Sequence, residues 1–287
     1  MAIATLSAEE ISKYLIQASV TLRRGNLYKY KSLKGQHFNY VTEIIRDRVI
    51  YCPRPSEMND PEECKPQLTI GEFANPSYRP RVEAWVRRCI SHRVHPPSEA
   101  EIQTELRQLN QARLESLAQE TTDSYRQAVD KRYRILSLAD SAYNEHLWAS
   151  YADSYEGVCL EFFVDPMLGS SYQVQYADAI PVLDITNNEG LDALVATVLF
   201  KRPKWKSEGE YRLVLGDPPV PGDPPLINQK LRFPPALLTS ILFGYRVAAD
   251  HRKRLIDLVR QEVPRMRIFE ARGGPAFQKF TISTIPN

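Results

Sequence analysis

Glycine is scarce in this chain, 12 of 287 residues, and the glycine-dependent motifs are missing with it. There is no G-x-x-x-x-G-K-[ST], G-x-G-x-x-G or G-x-S-x-G, and no H-E-x-x-H. These absences exclude the common phosphate-loop, dinucleotide-fingerprint, serine-hydrolase and zinc-peptidase signatures. Long apolar runs are also lacking: AIPVL and ALVATVLF fall far short of the ~20 residues that a membrane span needs. The opening MAIATLSAEE carries neither a basic patch nor an apolar stretch, so no secretory signal and a cytoplasmic location are expected. Cys52, Cys64, Cys89 and Cys159 never form a C-x-x-C pair and are expected as reduced, mostly buried thiols. His37, His92, His95, His146 and His251 fall into no recognisable partner pattern with them. Charge of one sign is missing as well. Lys and Arg total 37 against 35 Asp and Glu, a net +2, which excludes a strongly basic nucleic-acid coat protein. With 43% apolar residues the chain is not disordered. At this length it buries roughly three quarters of its unfolded surface and needs no staple.

What is present reads as interleaved strands and helices. Ser7 and Glu10 make a capping box, with Ile11, Tyr14, Leu15 and Ala18 following at helical spacing. Residues 26–31 alternate and are rich in tyrosine, a strand. Phe38, Val41, Ile44 and Ile45 mark a short helix, and 49–52 a second strand running into a proline-rich loop that ends at Pro61. Residues 76–136 read as a helical insertion or lid: Val82, Trp85, Val86, Cys89 and Ile90 form one face, Pro96-Pro97 breaks it, and Ser98 caps a long helix through Leu117. Strands are expected at 134–138, 157–164, 172–176, 210–215, 238–243, 265–271 and 277–283, with helices at 144–151, 189–200 and 248–262. This irregular rhythm predicts one α+β domain over 1–287, with a mixed, largely antiparallel sheet and flanking helices.

Four polar and aromatic clusters are candidates for chemistry. In Tyr28-Lys29-Tyr30 the lysine points opposite to both tyrosines. It is then either an outward-facing gatekeeper on an edge strand or a donor to a ligand phosphate or ribose. Asn59 and Asp60 either fix an Asx turn or rim a pocket. Trp148 and Tyr151, three apart, share a helix face and either plug the core or stack on a flat ring. Glu208, Glu210 and Arg212, near Lys201 and Trp205, share one face if all lie on a strand. Turned inward, those charges need one another. Separately, Arg79, Arg81, Arg87, Arg88 and Arg93 form either a solvated face or a contact for a phosphate backbone.

Leu27-Tyr-Lys-Tyr30, Asn59-Asp-Pro61, Leu147-Trp-Ala-x-Tyr-Ala-Asp153, Gly157-Val-Cys-Leu-Glu-Phe162 and Trp205-x-x-Glu-x-Glu-Tyr-Arg212 occur in that order. Over about 27–245 this set resembles the bacterial domain of unknown function 2971 family. More remotely, the order of a tyrosine-rich strand, a helix, a strand and a late glutamate-bearing strand resembles the ADP-ribosyltransferase-like fold. That second resemblance implies NAD as substrate. Lys29 or Tyr30 takes the first-strand position, Tyr151 the mid-chain position and Glu210 the late glutamate. Glu210 is then expected to hold the ribose 2′-hydroxyl and oppose oxocarbenium charge. Tyr30, Tyr151 or Trp148 would sandwich the nicotinamide, with Tyr28, Asn59, Asp60 and Glu208 completing the site. Arg212 would bind pyrophosphate or orient the glutamates. ADP-ribose transfer to a macromolecular target, or NAD hydrolysis, in a toxin or anti-phage setting, is the leading expectation, with no metal required. A non-catalytic sensing or protein-binding module is the alternative. A divalent-metal nuclease using Asp60, Glu208 and Glu210 is the third.

Overall fold

A computed structural model describes residues 25–60, 62–65, 67–91, 95, 97–164, 171–178, 182–187, 197–219, 226–272 and 281–284. The expected helix at 7–18, nearly all of the one at 189–200, Pro61 and Arg93 lie outside the described residues.

The expected α+β architecture is present. An eight-stranded sheet runs in the order β15, β14, β13, β5, β1, β4, β10, β6. Its strands are β1 (Asn26–Lys31), β4 (Tyr133–Ala139), β5 (Val158–Phe163), β6 (Tyr172–Gln173), β10 (Glu210–Gly216), β13 (Leu238–Gly244), β14 (Arg267–Arg272) and β15 (Thr281–Thr284). Every neighbouring pair is antiparallel except β13 with β14. Small ladders join β2 (Val49–Tyr51) to β11 (Leu226–Ile227) through β12 (Lys230–Arg232), β3 (Gln67–Thr69) to β8 (Val182–Asp184), and β7 (Gln175–Tyr176) to β9 (Phe200–Lys201).

Helix α1 (His37–Arg46) buries Phe38, Val41, Ile44 and Ile45, the stripe its spacing predicts, on one face of the sheet. Helix α6 (Ala249–Glu262) lies beside it and adds Leu255 and Val259 to the same core. On the other face, a smaller cluster gathers Tyr30, Ala139, Leu147, Trp148 and Cys159. Helices α2 (Arg79–Ser91), α3 (Glu99–Arg107) and α4 (Gln111–Arg132) build a third core with β3, β8 and Ile135. The single long helix expected from Ser98 is two. Asn110 accepts from the Arg113 N–H at 3.0 Å and starts α4 afresh, an asparagine cap competing successfully with helix continuation. Residues 172–176 likewise split. Val174 donates to the Glu210 carbonyl, and the flanking pairs join β10 and β9 respectively. Phe200, expected as the last residue of a helix, lies instead on the strand Phe200–Lys201.

Pairing along the sheet is incomplete between β1 and β4. Strand β1 pairs with β5 at six register positions but meets β4 at one, Tyr28 opposite Ala139. Beyond that point the strands separate, while β4 stays paired with β10 along its whole length. The exposed edge of β4 is satisfied by other groups: Ile135 donates to the Pro53 carbonyl at 2.9 Å, and the Ser137 carbonyl accepts from Lys29 Nζ at 2.6 Å.

Candidate active site

A cleft of about 190 Å³ opens at this separation. It is lined by Tyr28, Lys29 and Tyr30 of β1, by Pro53 to Asn59 in part, by 137–139 of β4, by Leu147 and Tyr151, and by Lys201, Glu208 and Glu210. Seven of the ten residues singled out in the sequence therefore meet in one hollow, from segments nearly two hundred positions apart.

Glu208 and Glu210 get there by a route that simple alternation misses. Glu208 ends a 3-10 turn, Pro203–Glu208, and is not on the strand. Gly209 then takes a left-handed conformation (φ 54°, ψ 45°), and β10 starts at Glu210. A Cβ at Gly209 would stand 2.3 Å from an Asp140 carboxylate oxygen, so both dihedral and space ask for glycine. The reversal brings both carboxylates onto Lys201, whose Nζ donates to Glu208 Oε2 at 2.6 Å and to Glu210 Oε2 at 3.2 Å. Glu210 Oε1 accepts from Arg212 Nε at 2.8 Å. Arg212 also donates to Glu63 Oε2 and, at 2.6 Å, to the Val198 carbonyl.

These charges are deeply buried, Arg212 at 0% exposure and Glu63, Lys201, Glu208 and Glu210 each at 4%. Burial by itself would raise the Glu210 pKa, but the Arg212 charge and hydrogen bond, with Lys201, outweigh it and hold the carboxyl at about 2. Burial opposes the Lys201 charge too, and Glu210, Glu63 and Glu208 more than compensate, raising its pKa. A short relay leads outward from this network. Asn59 Nδ2 donates to the Tyr151 hydroxyl at 2.5 Å, which donates to Glu208 Oε1 at 2.7 Å.

Lys29 differs from the sequence expectation. β1 is the centre of the sheet, not its edge, so no gatekeeper is needed there. The side chain does leave the face of Tyr28 and Tyr30, yet it turns into the gap between β1 and β4. Burial, reinforced by the like charge of Lys31, brings its pKa down to about 7 against the opposing pull of Glu210 and Glu208. Tyr28 donates to Glu161 at 3.3 Å and Tyr30 to the Ser141 carbonyl at 2.7 Å.

Three expected site residues are not in the cleft wall. Trp148 is completely buried. Its Nε1 donates to the Ala142 carbonyl, and its ring meets Tyr30 edge-on and stacks on Tyr155, each at 5.3 Å, so it is core. Tyr151, at the end of α5 (Glu145–Ser150), packs against the same cluster, and its hydroxyl reaches out to Glu208. Arg212 is sealed behind the glutamates and cannot reach a pyrophosphate. Asp60 is buried beneath the rim, where its Oδ1 caps the Glu62 N–H at 3.1 Å and its own N–H reaches Glu63.

Sequence reasoning missed Glu63 and the backbone carbonyl of Ser137. Glu63 stands three residues after Asp60, the spacing of a turn carboxylate reaching back to the N–H of Asp60, and that was its one local signal. No described residue of α2, α3 or α4 lines the cleft. Helix α4 meets its rim where Asp130 accepts from the Ser56 N–H at 2.7 Å. In the basic run, Arg79 pairs with Glu83 and Arg81 with Asp184, Arg87 holds Glu99 by two bonds, and Arg88 donates to the Thr186 carbonyl. Cys52, Cys64 and Cys159 are buried, Cys89 is exposed, and no disulfide joins them. Among the described residues, no helix is long and apolar enough to cross a membrane, and no three His, Cys, Asp or Glu side chains are grouped to hold a metal ion. Comparison with protein-family models, with curated proteins and with solved structures finds no match.

Proposed function

We propose that the protein is an ADP-ribosyltransferase-like enzyme that takes NAD as substrate and breaks its nicotinamide–ribose bond. The observation that carries this reading is the convergence of Tyr28, Tyr30, Tyr151, Asn59 and two carboxylates on one hollow at a split in the sheet. The volume suits the nicotinamide–ribose half of a dinucleotide, with the remainder extending outward.

Glu208 takes the part that touches the ribose, in place of the Glu210 expected earlier. Both Glu210 oxygens are committed to Arg212 and Lys201, whereas Glu208 Oε1 is held by a neutral tyrosine hydroxyl that a ribose hydroxyl can replace. As the glycosidic bond lengthens, positive charge grows on the ribose, and a carboxylate fixed in a water-poor cleft opposes it. Lys201, Glu210, Arg212 and Glu63 keep Glu208 in place and ionised, so they are positioning residues. Tyr28 and Tyr30 supply aromatic surface for the nicotinamide, and Asn59 supplies an amide opposite its carboxamide. The order of motifs resembles that of the bacterial domain of unknown function 2971 family, and the cleft residues Tyr28, Asn59, Tyr151 and Glu208 lie in those motifs.

Incubation with NAD should release nicotinamide, and Glu208→Gln should lower the rate at least about a hundredfold, as loss of one preorganised electrostatic group does. One observation favours the alternative of a binding module: every carboxylate in the wall already has a partner, and none stands as a free base. A thermal shift with NAD but no nicotinamide release would support that second reading. Neither release nor shift would sink the NAD reading and leave a module that binds another partner.

A further inference from the structure

Lys29 lines the cleft, yet it takes no part in the ion-pair network across from it. Its Nζ makes one hydrogen bond, to the Ser137 carbonyl at 2.6 Å. Among the described residues no carboxylate oxygen lies within ion-pair reach of it. Lys201, in the same cleft, has three such carboxylates. A lysine placed between strands without a counter-ion is unusual, because an unpaired buried ammonium is costly. The groups facing it are Lys31 on its own strand, the Cys52 thiol, and Glu208 and Glu210 at longer range. Burial and Lys31 prevail over the glutamates and bring the pKa down to about 7, which makes the neutral amine accessible near neutral pH. In that form, the bond to Ser137 uses one N–H and leaves the nitrogen lone pair uncommitted.

We infer that Lys29 is a nucleophilic amine that condenses with small hydroxylated aldehydes entering this cleft. The cleft is smaller than an ordinary drug-sized pocket, which restricts the partner to a small molecule. Asn59, Tyr151 and Glu208 offer donors and acceptors for its hydroxyls. The wall carboxylates repel an α-keto acid, so the carbonyl compound is uncharged. The Nζ lone pair attacks the aldehyde carbon and forms the N–C bond, while the carbonyl π pair moves to oxygen. That oxygen takes one proton from nitrogen, giving a neutral carbinolamine. Loss of its hydroxyl with the second nitrogen proton, as water, leaves the C=N bond. No oxidant or reductant is consumed. The inference stands whether or not the protein cleaves a dinucleotide.

The test uses the full-length wild-type protein with glycolaldehyde and sodium cyanoborohydride at pH 7, followed by peptide mapping by mass spectrometry. Lys29 should be converted to the reduced adduct about tenfold or more faster than exposed Lys34 or Lys204, since far more of it is neutral. Its labelling rate should level off above about pH 7, while the exposed lysines continue to speed up toward pH 9. Lys31, which shares the burial but does not line the cleft, is the internal control and should label slowly. Labelling of Lys29 at or below the rate of the exposed lysines, or of Lys31 ahead of it, would overturn the inference. No variant is needed, so a failure to fold cannot obscure the result.

Discussion

Two lysines face one cleft and illustrate opposite ways of burying a positive charge. Lys201 sits among Glu63, Glu208 and Glu210 and is held as an ammonium above its ordinary pKa. Lys29 sits across from it with one carbonyl for company and is pulled down to about 7. Both are lysines lining one cleft, Lys29 on the central strand β1 and Lys201 on the short strand β9, so the difference comes from what each neighbouring segment brings. The Pro203–Glu208 turn and β10 bring carboxylates to Lys201. The separation of β1 from β4 brings Lys29 a bare backbone oxygen. Where counter-charges are supplied, the charge is fixed and orders its surroundings. Where they are withheld, the charge becomes conditional on pH and the nitrogen becomes available for chemistry.

The comparison breaks most visibly if the paired side is dismantled. Arg212→Met removes a fully buried guanidinium and leaves Glu63 and Glu210 with Lys201 alone. The expected loss of unfolding free energy is about 3–5 kcal/mol, read by denaturant titration at pH 7. The pH dependence gives a second reading of the same interaction. Glu210 has a folded pKa of about 2 against an unfolded 4.5, so its contribution is fully present above pH 4.5 and is lost as pH falls toward 2. Arg212→Met should flatten that acid limb.

On the unpaired side the sign reverses. Lys29 has a folded pKa near 7 against an unfolded 10.5, so its burial costs stability fully below pH 7, and the cost fades as pH rises to 10.5. Lys29→Met should therefore stabilise the fold, by about 2 kcal/mol at pH 6, with the gain shrinking through that window. A loss of stability at pH 6 would mean that the bond to Ser137 outweighs desolvation, and the contrast between the two lysines would disappear.

How much of this was legible in the sequence depends on the range of the interaction concerned. The strands and α1 follow from local alternation and from the spacing of Phe38, Val41, Ile44 and Ile45, which report burial directly. The cleft membership of Tyr30, Asn59 and Tyr151 was legible as clusters of side chains that seek partners at the ends of strands. The fate of Lys29 was not, because alternation places a side chain on a face and says nothing of a sheet that parts beside it. Glu208 was misplaced on the strand for a related reason. Period-two reading assumes extended backbone, and Gly209 is left-handed. The ion network needed Glu63, nearly 150 positions from Arg212, and no local pattern signals a pairing across that distance.

That glycine is the next point at which the comparison can be sharpened. Gly209→Ala forces a side chain into the left-handed region and toward the Asp140 carboxylate. The expected cost is about 1.5 kcal/mol, with Glu208 drawn away from Lys201. Nicotinamide release, if Glu208 touches the ribose, should fall further than stability does. A variant with lowered stability and unchanged turnover would place the role of Glu208 elsewhere.

The smallest change tests the link between the two halves of the cleft. The Tyr151 hydroxyl receives Asn59 on one side and donates to Glu208 on the other, so it joins the rim loop to the buried charges. Tyr151→Phe keeps the ring and deletes both bonds. Glu208 retains Lys201, so the carboxylate is not orphaned, and the expected loss of stability is about 1 kcal/mol. If a ribose hydroxyl takes the place of the tyrosine hydroxyl in the bound state, the KM for NAD should change less than twofold. If instead Tyr151 must stay in place to aim Glu208, kcat should fall and KM should hold. Measuring both parameters in this one variant separates a displaceable contact from an aligning one, which no change in melting temperature can do.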